Sequence, residues 1–140
     1  MSTTPVHSEM EEIPEAECLE IRRKHDFGRI GLVAEGQPQI FPVNYAMSAR
    51  IISFRTAPGT KLSYAPSSKV AFEVDDYSPE TGVGWSVMVQ GIAYDATESL
   101  DDVSWTARGA MPHPMAPGEK VHRVAVDPQQ ITGRRFQRSG

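Results

Sequence analysis

Two cations and two hydroxyl groups fall within the seven residues from Arg55 to Lys61. Arg55 and Thr56 end an apolar, β-rich stretch, and a Pro-Gly turn leads to Thr60 and Lys61 at the start of a short helical pattern. Free amides at a helix start attract an anion, Arg55 can bind two oxygens, and Lys61 adds a point charge. The segment predicts a phosphate site, although a turn with ordinary surface charges would read the same. It is not a Walker A loop, because the upstream glycine and the Gly-Lys pair are missing.

The other reactive side chains do not identify a catalytic group. Cys18 lies in an acidic stretch that disfavours its thiolate, so we expect a buried or half-buried helix residue. Asp75 and Asp76 are neighbours in a strand and point to opposite faces, so they do not form a catalytic pair. His113 lies in the loop 108–120, which is long enough to cover a pocket, and it is either an exposed loop histidine or a functional group. We predict no metal site, because no His, Asp or Glu cluster has metal-ligand spacing.

Length and composition fit one soluble domain. The chain has 140 residues, of which 39% are hydrophobic and 23% charged. Fourteen basic against eighteen acidic residues give a formal charge of −4, which argues against a nucleic-acid binder. The N-terminal residues do not resemble a secretory signal, and no apolar run is long enough to span a bilayer. We therefore expect a cytoplasmic protein with neither a nucleic-acid nor a membrane partner.

The period of the hydrophobic pattern changes near residue 27. Before it, Pro14 opens a helix that ends near Asp26, and we interpret its charges as a solvated face. After it, apolar and polar residues alternate between turns that are rich in Gly and Pro. Pro42 lies inside a strand pattern, which indicates a sheet edge, a bulge or a ligand-facing position. Six short strands are predicted at residues 29–34, 39–47, 50–56, 69–77, 84–95 and 121–126, and the segment 131–136 closes the fold.

The predicted elements indicate a mainly β protein, a small six-stranded antiparallel barrel with helical decoration. A closed barrel removes the exposed sheet edges that short strands would otherwise leave. We expect a flexible N-terminal segment at residues 1–12, a single domain at 13–136 and a C-terminal tail at 137–140.

The order of five segments resembles a known family. A hairpin is followed by FRTAPGTKL, KVAFEVDDY, GWSVMVQGIA and a terminal ITGRRF. This order is similar to that of the flavin-binding split-barrel proteins related to pyridoxamine 5′-phosphate oxidase, and most of all to the small branch that includes the nitroimidazole-resistance proteins. The resemblance covers residues 14–136.

The resemblance implies a homodimer of six-stranded split barrels with two FMN sites at its interface. The residues that would hold the FMN phosphate are Arg55, Thr56, Thr60 and Lys61. The strand whose backbone would lie along the isoalloxazine ring contributes Pro42, Val43, Asn44 and Tyr45. The residues that would approach the flavin from the partner subunit are Trp85, Ser86, Val87 and Gln90. Trp85 could instead fill the core.

The function that the resemblance implies is an FMN-dependent oxidoreductase acting on an unidentified small molecule, with NAD(P)H from solution as a possible electron donor. The chain lacks the longer C-terminal segment of true pyridoxamine 5′-phosphate oxidases, and Arg134, Arg135 and Arg138 do not replace it by their spacing. Related split barrels use F420 or haem, and His113 is a candidate haem ligand. The alternatives are therefore an F420-dependent reductase and a flavin- or haem-binding protein without turnover.

Overall fold

The computed structural model describes residues 8–56, 65, 67–96 and 122–138. Within these residues one helix is followed and preceded by strands, all of them antiparallel to their neighbours. The elements are β1 (Ser8–Glu12), α1 (Glu15–Lys24), β2 (Phe27–Ala34), β3 (Gln37–Ser48), β4 (Ile51–Thr56), β5 (Lys69–Ser78), β6 (Val83–Asp95) and β7 (His122–Arg138).

Six of the strands close into a ring. Their order is β7-β4-β3-β2-β5-β6, and β6 pairs in turn with β7. The long strand β7 closes the ring, because its N-terminal part pairs with β4 on one edge while its length from Val124 to Gln137 pairs with β6 on the other. The predicted fold class, a six-stranded antiparallel split barrel, is confirmed.

The ends of the domain differ from the sequence interpretation. Residues 8–12, assigned above to a flexible segment, form β1 and pair with residues 134–138 of β7. Gln137 and Arg138, assigned to a tail, therefore belong to the sheet. The two predicted segments 121–126 and 131–136 lie in one strand, and the register shifts where Gly91 faces Pro128 and Gln90 faces Gln130. A bulge at this point accommodates a proline that cannot donate to the ladder.

Inward-pointing side chains of the strands fill the interior of the barrel. Every second residue points inward, as expected for a pleated strand with one buried face. The largest inward side chains are fully buried or nearly so: Ile30, Tyr45, Ile52, Phe54, Phe72, Val89 and Val124. Because the interior is packed with side chains, a ligand must bind on the outside of the barrel.

Helix α1 packs closely against the barrel through Cys18. The backbone N–H of Ile13 donates to the carbonyl of Gly133 at 2.9 Å, and the buried Cys18 thiol lies over the same glycine. A Cβ at Gly133 would come within 2.5 Å of the Cys18 sulfur, so only glycine permits this approach. Burial raises the pKa of the Cys18 thiol. Cys18 is thus a packing residue of the helix, as predicted.

The charges of α1 were predicted to form a solvated face, but Arg22 is only 1% exposed. Its Nε donates to the carbonyl of Cys18 at 3.4 Å, one turn back along the helix. Tyr45 Oη donates to the Arg22 carbonyl at 2.6 Å and ties the helix to β3. Desolvation lowers the pKa of the guanidinium. The basic residues near the helix end suit the helix dipole, but one of them turns inward.

Candidate functional site

The segment of β3 that was predicted to lie along the isoalloxazine ring has side chains on both faces of the sheet. Val43 and Tyr45 are buried in the core, and Tyr45 meets Phe72 edge to face with ring centroids 4.8 Å apart. Desolvation raises the pKa of the Tyr45 hydroxyl. Pro42 and Asn44 are exposed on the outside. Val43 and Tyr45 can therefore offer no side chain to a ligand on the outer face, whereas Pro42 and Asn44 can.

The same segment of β3 is paired on one edge only. Residues 37–44 pair with β2, whereas β4 pairs with β3 only from Tyr45 to Ser48. In the described part of the chain, the second edge of residues 37–44 has no strand partner. Pro42, which faces Arg29 across the β2 ladder, lies within this one-sided stretch. The sheet-edge reading of Pro42 is therefore the one that the structure supports, and neighbouring backbone groups on that edge can bind a ligand.

An aromatic and an amide side chain lie together at the end of this edge. Phe27 is directly opposite Asn44 and is 52% exposed, which is high for a large apolar residue. Asn44 Nδ2 donates to the carbonyl of Asp26 at 3.3 Å, and the backbone N–H of Tyr45 donates to the same oxygen at 2.9 Å. These bonds hold the chain where α1 leads into β2, beside the exposed ring of Phe27. The surface offers a flat apolar group and a polar group next to each other.

Arg55, the last residue but one of β4, lies on the outer face. Its neighbour Phe54 is buried and pairs with Tyr45, so the pleat turns Arg55 outward on the side of β3 that carries Asn44. Across the other ladder, Arg55 pairs directly with Arg123 at the start of β7. Thr56 follows in the same strand. Thr60 and Lys61 lie outside the described residues, so the predicted phosphate group is only partly placed.

Arg123 is a candidate binding residue that the sequence interpretation missed. It is half-buried and shares the outer face with Arg55, because the adjacent Val124 points into the core. The alternating pattern of 121–126 predicted the strand that carries Arg123. It did not indicate that this strand pairs with β4, and this pairing brings the two arginines together.

The residues of β6 that were predicted to approach the flavin from the partner subunit point to different faces of the sheet. Ser86 and Gln90 point outward, whereas Val87 is fully buried against Ile13 and Cys18. Trp85 is half-buried and packs against the core clusters, so it takes the core-filling arrangement that the sequence left open. Its ring and that of His25 are nearly perpendicular, at 80°, with centroids 5.0 Å apart.

One chain does not bring the outward residues of β3 and β6 together. Strands β2 and β5 lie between β3 and β6 in the sheet. Three strand spacings separate Pro42 and Asn44 from Ser86 and Gln90, a distance of about 14 Å along the surface. These two groups cannot contact the same ring atoms within one protomer.

The surface between them carries a shallow groove of about 520 Å³. A cross-strand row of Ile40, Gly31, Ala71, Gln90 and Gln130 crosses it. The small residues of β2 and β5 form its floor, and Ile40 is 72% exposed at one end. This is an apolar surface with amide groups at one side.

A charged cluster lies two residues along the strands from the Gly31–Ala71 pair, where Arg29 faces Glu73 across the ladder between β2 and β5. Arg29 Nη1 lies 3.0 Å from Asp75 Oδ1 and 3.7 Å from Glu73 Oε1. Burial and the neighbouring Asp75 raise the pKa of Glu73, while Arg29 opposes that shift. No group of three His, Cys, Asp or Glu residues suits a metal ion in the described part of the chain. His113 and the loop 108–120 lie outside it.

The closed six-stranded barrel, with a strand edge open at the split, defines a split-barrel protein. Residues 14–135 match the family model described as pyridoxamine 5′-phosphate oxidase. The chain belongs to this family. The resemblance inferred from the order of the sequence segments is confirmed.

Two solved structures and one sequence relative illustrate the similarity. The FAD-binding protein of Mycobacterium smegmatis is 36% identical, with a TM-score of 0.77 over 91% of this chain and 98% of that one. An FAD-binding protein of Mesorhizobium loti shares the fold at 21% identity, with a TM-score of 0.68 over 90% and 97% of the two chains. Protein Rv0080 of Mycobacterium tuberculosis is 32% identical over 135 residues, which cover 91% of this chain and 86% of Rv0080. No helix among the described residues is long and apolar enough to cross a membrane.

Proposed function

We propose that this protein binds a flavin nucleotide and acts as a flavin-dependent oxidoreductase. The observation that carries the proposal is the open edge of β3 at residues 37–44, in a chain that belongs to the pyridoxamine 5′-phosphate oxidase family. The 36% identical protein of Mycobacterium smegmatis is FAD-binding, which supports a flavin as the ligand. The residues present fit such a group, because the open edge of β3 lies next to the strand β4, which turns Arg55 to the outer face.

The residues of β3 and β4 would divide the binding of the flavin between them. Backbone groups on the open edge of β3 would pair with the polar edge of the isoalloxazine ring, and Phe27 would supply apolar contact beside Asn44. Arg55 would bind the phosphate, together with Thr56, Thr60 and Lys61 as the sequence predicts. The packed interior would keep water away from one side of this strand.

The site would be completed by a second copy of the chain. Ser86 and Gln90 are about 14 Å from the β3 residues within one protomer, so they would approach the ring from the partner. The exposed apolar residues near the groove, Ile40 at 72% and Val33 at 62%, support burial against a second copy. Sedimentation equilibrium tests this step, since a monomer at micromolar concentration would contradict a shared site.

The choice between FMN and FAD is open to a direct test. FMN is the cofactor that the family resemblance of the sequence implies, whereas the Mycobacterium smegmatis relative is FAD-binding. A bound flavin supplies hydride and electron transfer, so the protein needs no acid or base of its own for the redox step. Reduction by NADH or NADPH from solution, followed by turnover with a screened acceptor, would separate an enzyme from a protein that only binds the cofactor.

A visible absorption spectrum of the purified protein, with mass spectrometry of the heat-released cofactor, tests the proposal. A two-banded flavin spectrum with the mass of FMN or FAD is expected. A Soret band would show that the cofactor is haem and not a flavin. A colourless protein would be titrated with FMN, FAD and F420. Preference for F420, or binding of none of the three, would overturn the proposal.

A further inference from the structure

The groove on the outer face has a low floor made of small residues. Gly31 on β2 faces Ala71 on β5 across one ladder and Ile40 on β3 across the other. A Cβ at Gly31 would meet only ordinary van der Waals contacts, at 3.7 Å or more. The floor is therefore low because side chains are small there, and not because the backbone is crowded. Ile40, which is 72% exposed, forms an apolar wall beside it. This shape accepts a flat apolar group.

Three glutamines, Gln90, Gln129 and Gln130, line the opposite side of the groove. They lie where the register between β6 and β7 shifts. Gln90 faces Gln130, but the next residue, Gly91, faces Pro128, so Gln129 is the extra residue of a β-bulge. Only glycine permits this bulge, because a Cβ at Gly91 would overlap a backbone oxygen of β7. The bulge sets two adjacent exposed amides, those of Gln129 and Gln130, beside the apolar floor.

The groove carries very little charge. Among the described residues that line it, Lys69 on β5 is the only charged one. Lys69 faces Ile92 on β6, two residues along the ladder from the pair formed by Ala71 and Gln90. From the strand geometry, the Cα atoms of Lys69 and Gln90 are roughly 8 Å apart. The groove therefore suits an uncharged ring that has an anionic group attached at some distance from it.

The amides determine which edge of a ring fits. An amide side chain both donates and accepts hydrogen bonds, so it pairs best with a group that also does both. A carboxamide on a ring has this property, whereas a carboxylate only accepts. A phosphate attached through a sugar would lie toward the ammonium group of Lys69. The volume of the groove, about 520 Å³, is in the range of sites that hold small molecules. A reduced nicotinamide nucleotide combines the uncharged ring, the carboxamide and the phosphate.

We infer that this groove binds a reduced nicotinamide nucleotide, with its ring on Gly31 and Ala71, its carboxamide on the glutamines and its phosphate toward Lys69. The inference rests on the proposed function in one respect, because the proposed dimer brings Gln90 to the flavin of the partner subunit. The nucleotide would then lie beside that flavin as its electron donor. The isoalloxazine ring has a lactam edge of similar chemistry, and the flavin content of the variants separates these two sources.

Calorimetric titration of the purified protein tests the site. The probe is 1,4,5,6-tetrahydro-NADH, which keeps the uncharged ring and the carboxamide and cannot donate a hydride to a bound flavin. ADP-ribose, which lacks the ring, and the probe's analogue with a carboxylate in place of the carboxamide are the comparison ligands. The probe is expected to bind about 3- to 10-fold more tightly than either, the range for one neutral hydrogen bond or two. Equal binding of ADP-ribose, or preference for the carboxylate, overturns the inference.

Two substitutions test the floor and the amides separately. Ala71→Leu fills the floor and is expected to weaken the probe at least about tenfold. Gln130→Met keeps the length of the side chain without the amide, and it is expected to weaken the probe about 3- to 10-fold and to leave ADP-ribose unchanged. The control is Thr132→Leu, two residues further along β7 and outside the groove, which should change neither. Thermal melting establishes that each variant is folded. Folded Ala71→Leu protein that binds the probe as the wild type does overturns the inference.

Flavin content and oligomeric state separate the remaining outcomes. If Gln130→Met loses the flavin together with the probe, the groove belongs to the isoalloxazine ring, and the inference is overturned. If the wild type binds no probe and Ala71→Leu turns a dimer into a monomer, the groove is an interface only, which also overturns it. Wild-type protein that binds the probe but no flavin contradicts the proposed function and leaves the nicotinamide site standing. Wild-type protein that binds flavin but no probe has the opposite meaning.

Discussion

Helix α1 packs so closely on β7 that one added methyl group at Gly133 should destabilise the protein. A Cβ at Gly133 would lie 2.5 Å from the Cys18 sulfur and 3.0 Å from the Ile13 Cβ. The sulfur belongs to a buried side chain and the helix is held by the Ile13–Gly133 hydrogen bond, so neither neighbour can move freely. We expect Gly133→Ala to lower the free energy of unfolding by about 1–3 kcal/mol, the usual cost of overpacking a core.

Chemical denaturation with a thermal melt measures this effect. A loss of 1–3 kcal/mol corresponds to a fall in Tm of roughly 3–12 °C for a domain of this size. Gly31→Ala is the matched control, because a Cβ there meets nothing closer than 3.7 Å. Its effect is expected within about 0.5 kcal/mol of the wild type.

A double-mutant cycle identifies the clashing atom. Cys18→Ala removes the sulfur, so Gly133→Ala in that background should cost at least about 1 kcal/mol less than in the wild type. A Gly133→Ala variant as stable as Gly31→Ala would refute the close packing of α1. An unchanged cost in the Cys18→Ala background would refute the role of the sulfur.

Three further predictions concern groups buried between α1 and the barrel. Tyr45→Phe should lower the free energy of unfolding by about 1–3 kcal/mol in urea denaturation, because the Arg22 carbonyl loses the donor at 2.6 Å; an unchanged midpoint would contradict this. The native Cys18 thiol should react with a thiol reagent far more slowly than in denaturant, since it is buried and its pKa is raised; equal rates would show an accessible thiol. Stability should fall as the pH rises above about 9, because the unfolded thiol and phenol lose protons that the folded groups keep, and Cys18→Ala and Tyr45→Phe should each flatten that slope.

The fold could be predicted because its signal is local. Alternation of apolar and polar residues marks a strand wherever one face is buried, and Pro and Gly mark the turns between strands. The segment 8–12 lacks this signal: it reads SEMEE, with a single large apolar residue, Met10. It becomes a strand because β7 offers a free edge to residues 8–12, and no property of those five residues reveals that edge.

Arg22 shows a second limit of reading the sequence. Three basic residues follow one another at the end of α1, and their types are equally suited to the solvent and the helix dipole. Which of them turns inward depends on the angle at which the helix meets the barrel. That angle is set by Gly133 and Cys18, which are more than a hundred residues apart in the chain.

The candidate site depends most on pairing between distant strands. Arg55 could be found from its own segment, since the turn and the helical pattern follow it directly. Arg123 is near it only because β7 closes the barrel against β4, a contact between residues that are far apart in the sequence. The open edge of β3 likewise follows from where β4 stops pairing, and not from residues 37–44 themselves.

Because β3 and β6 are far apart within one protomer, a shared site would combine β3 of one chain with β6 of the other. If the flavin is shared between two chains, a substitution at Gln90 on β6 and one at Asn44 on β3 damage the same site from different protomers. Mixing the two single variants then yields heterodimers with one site that carries both substitutions and one that carries neither. Restored flavin binding in the mixture, at up to half of the sites in each heterodimer, would support a shared site, whereas no recovery would place each site within one chain.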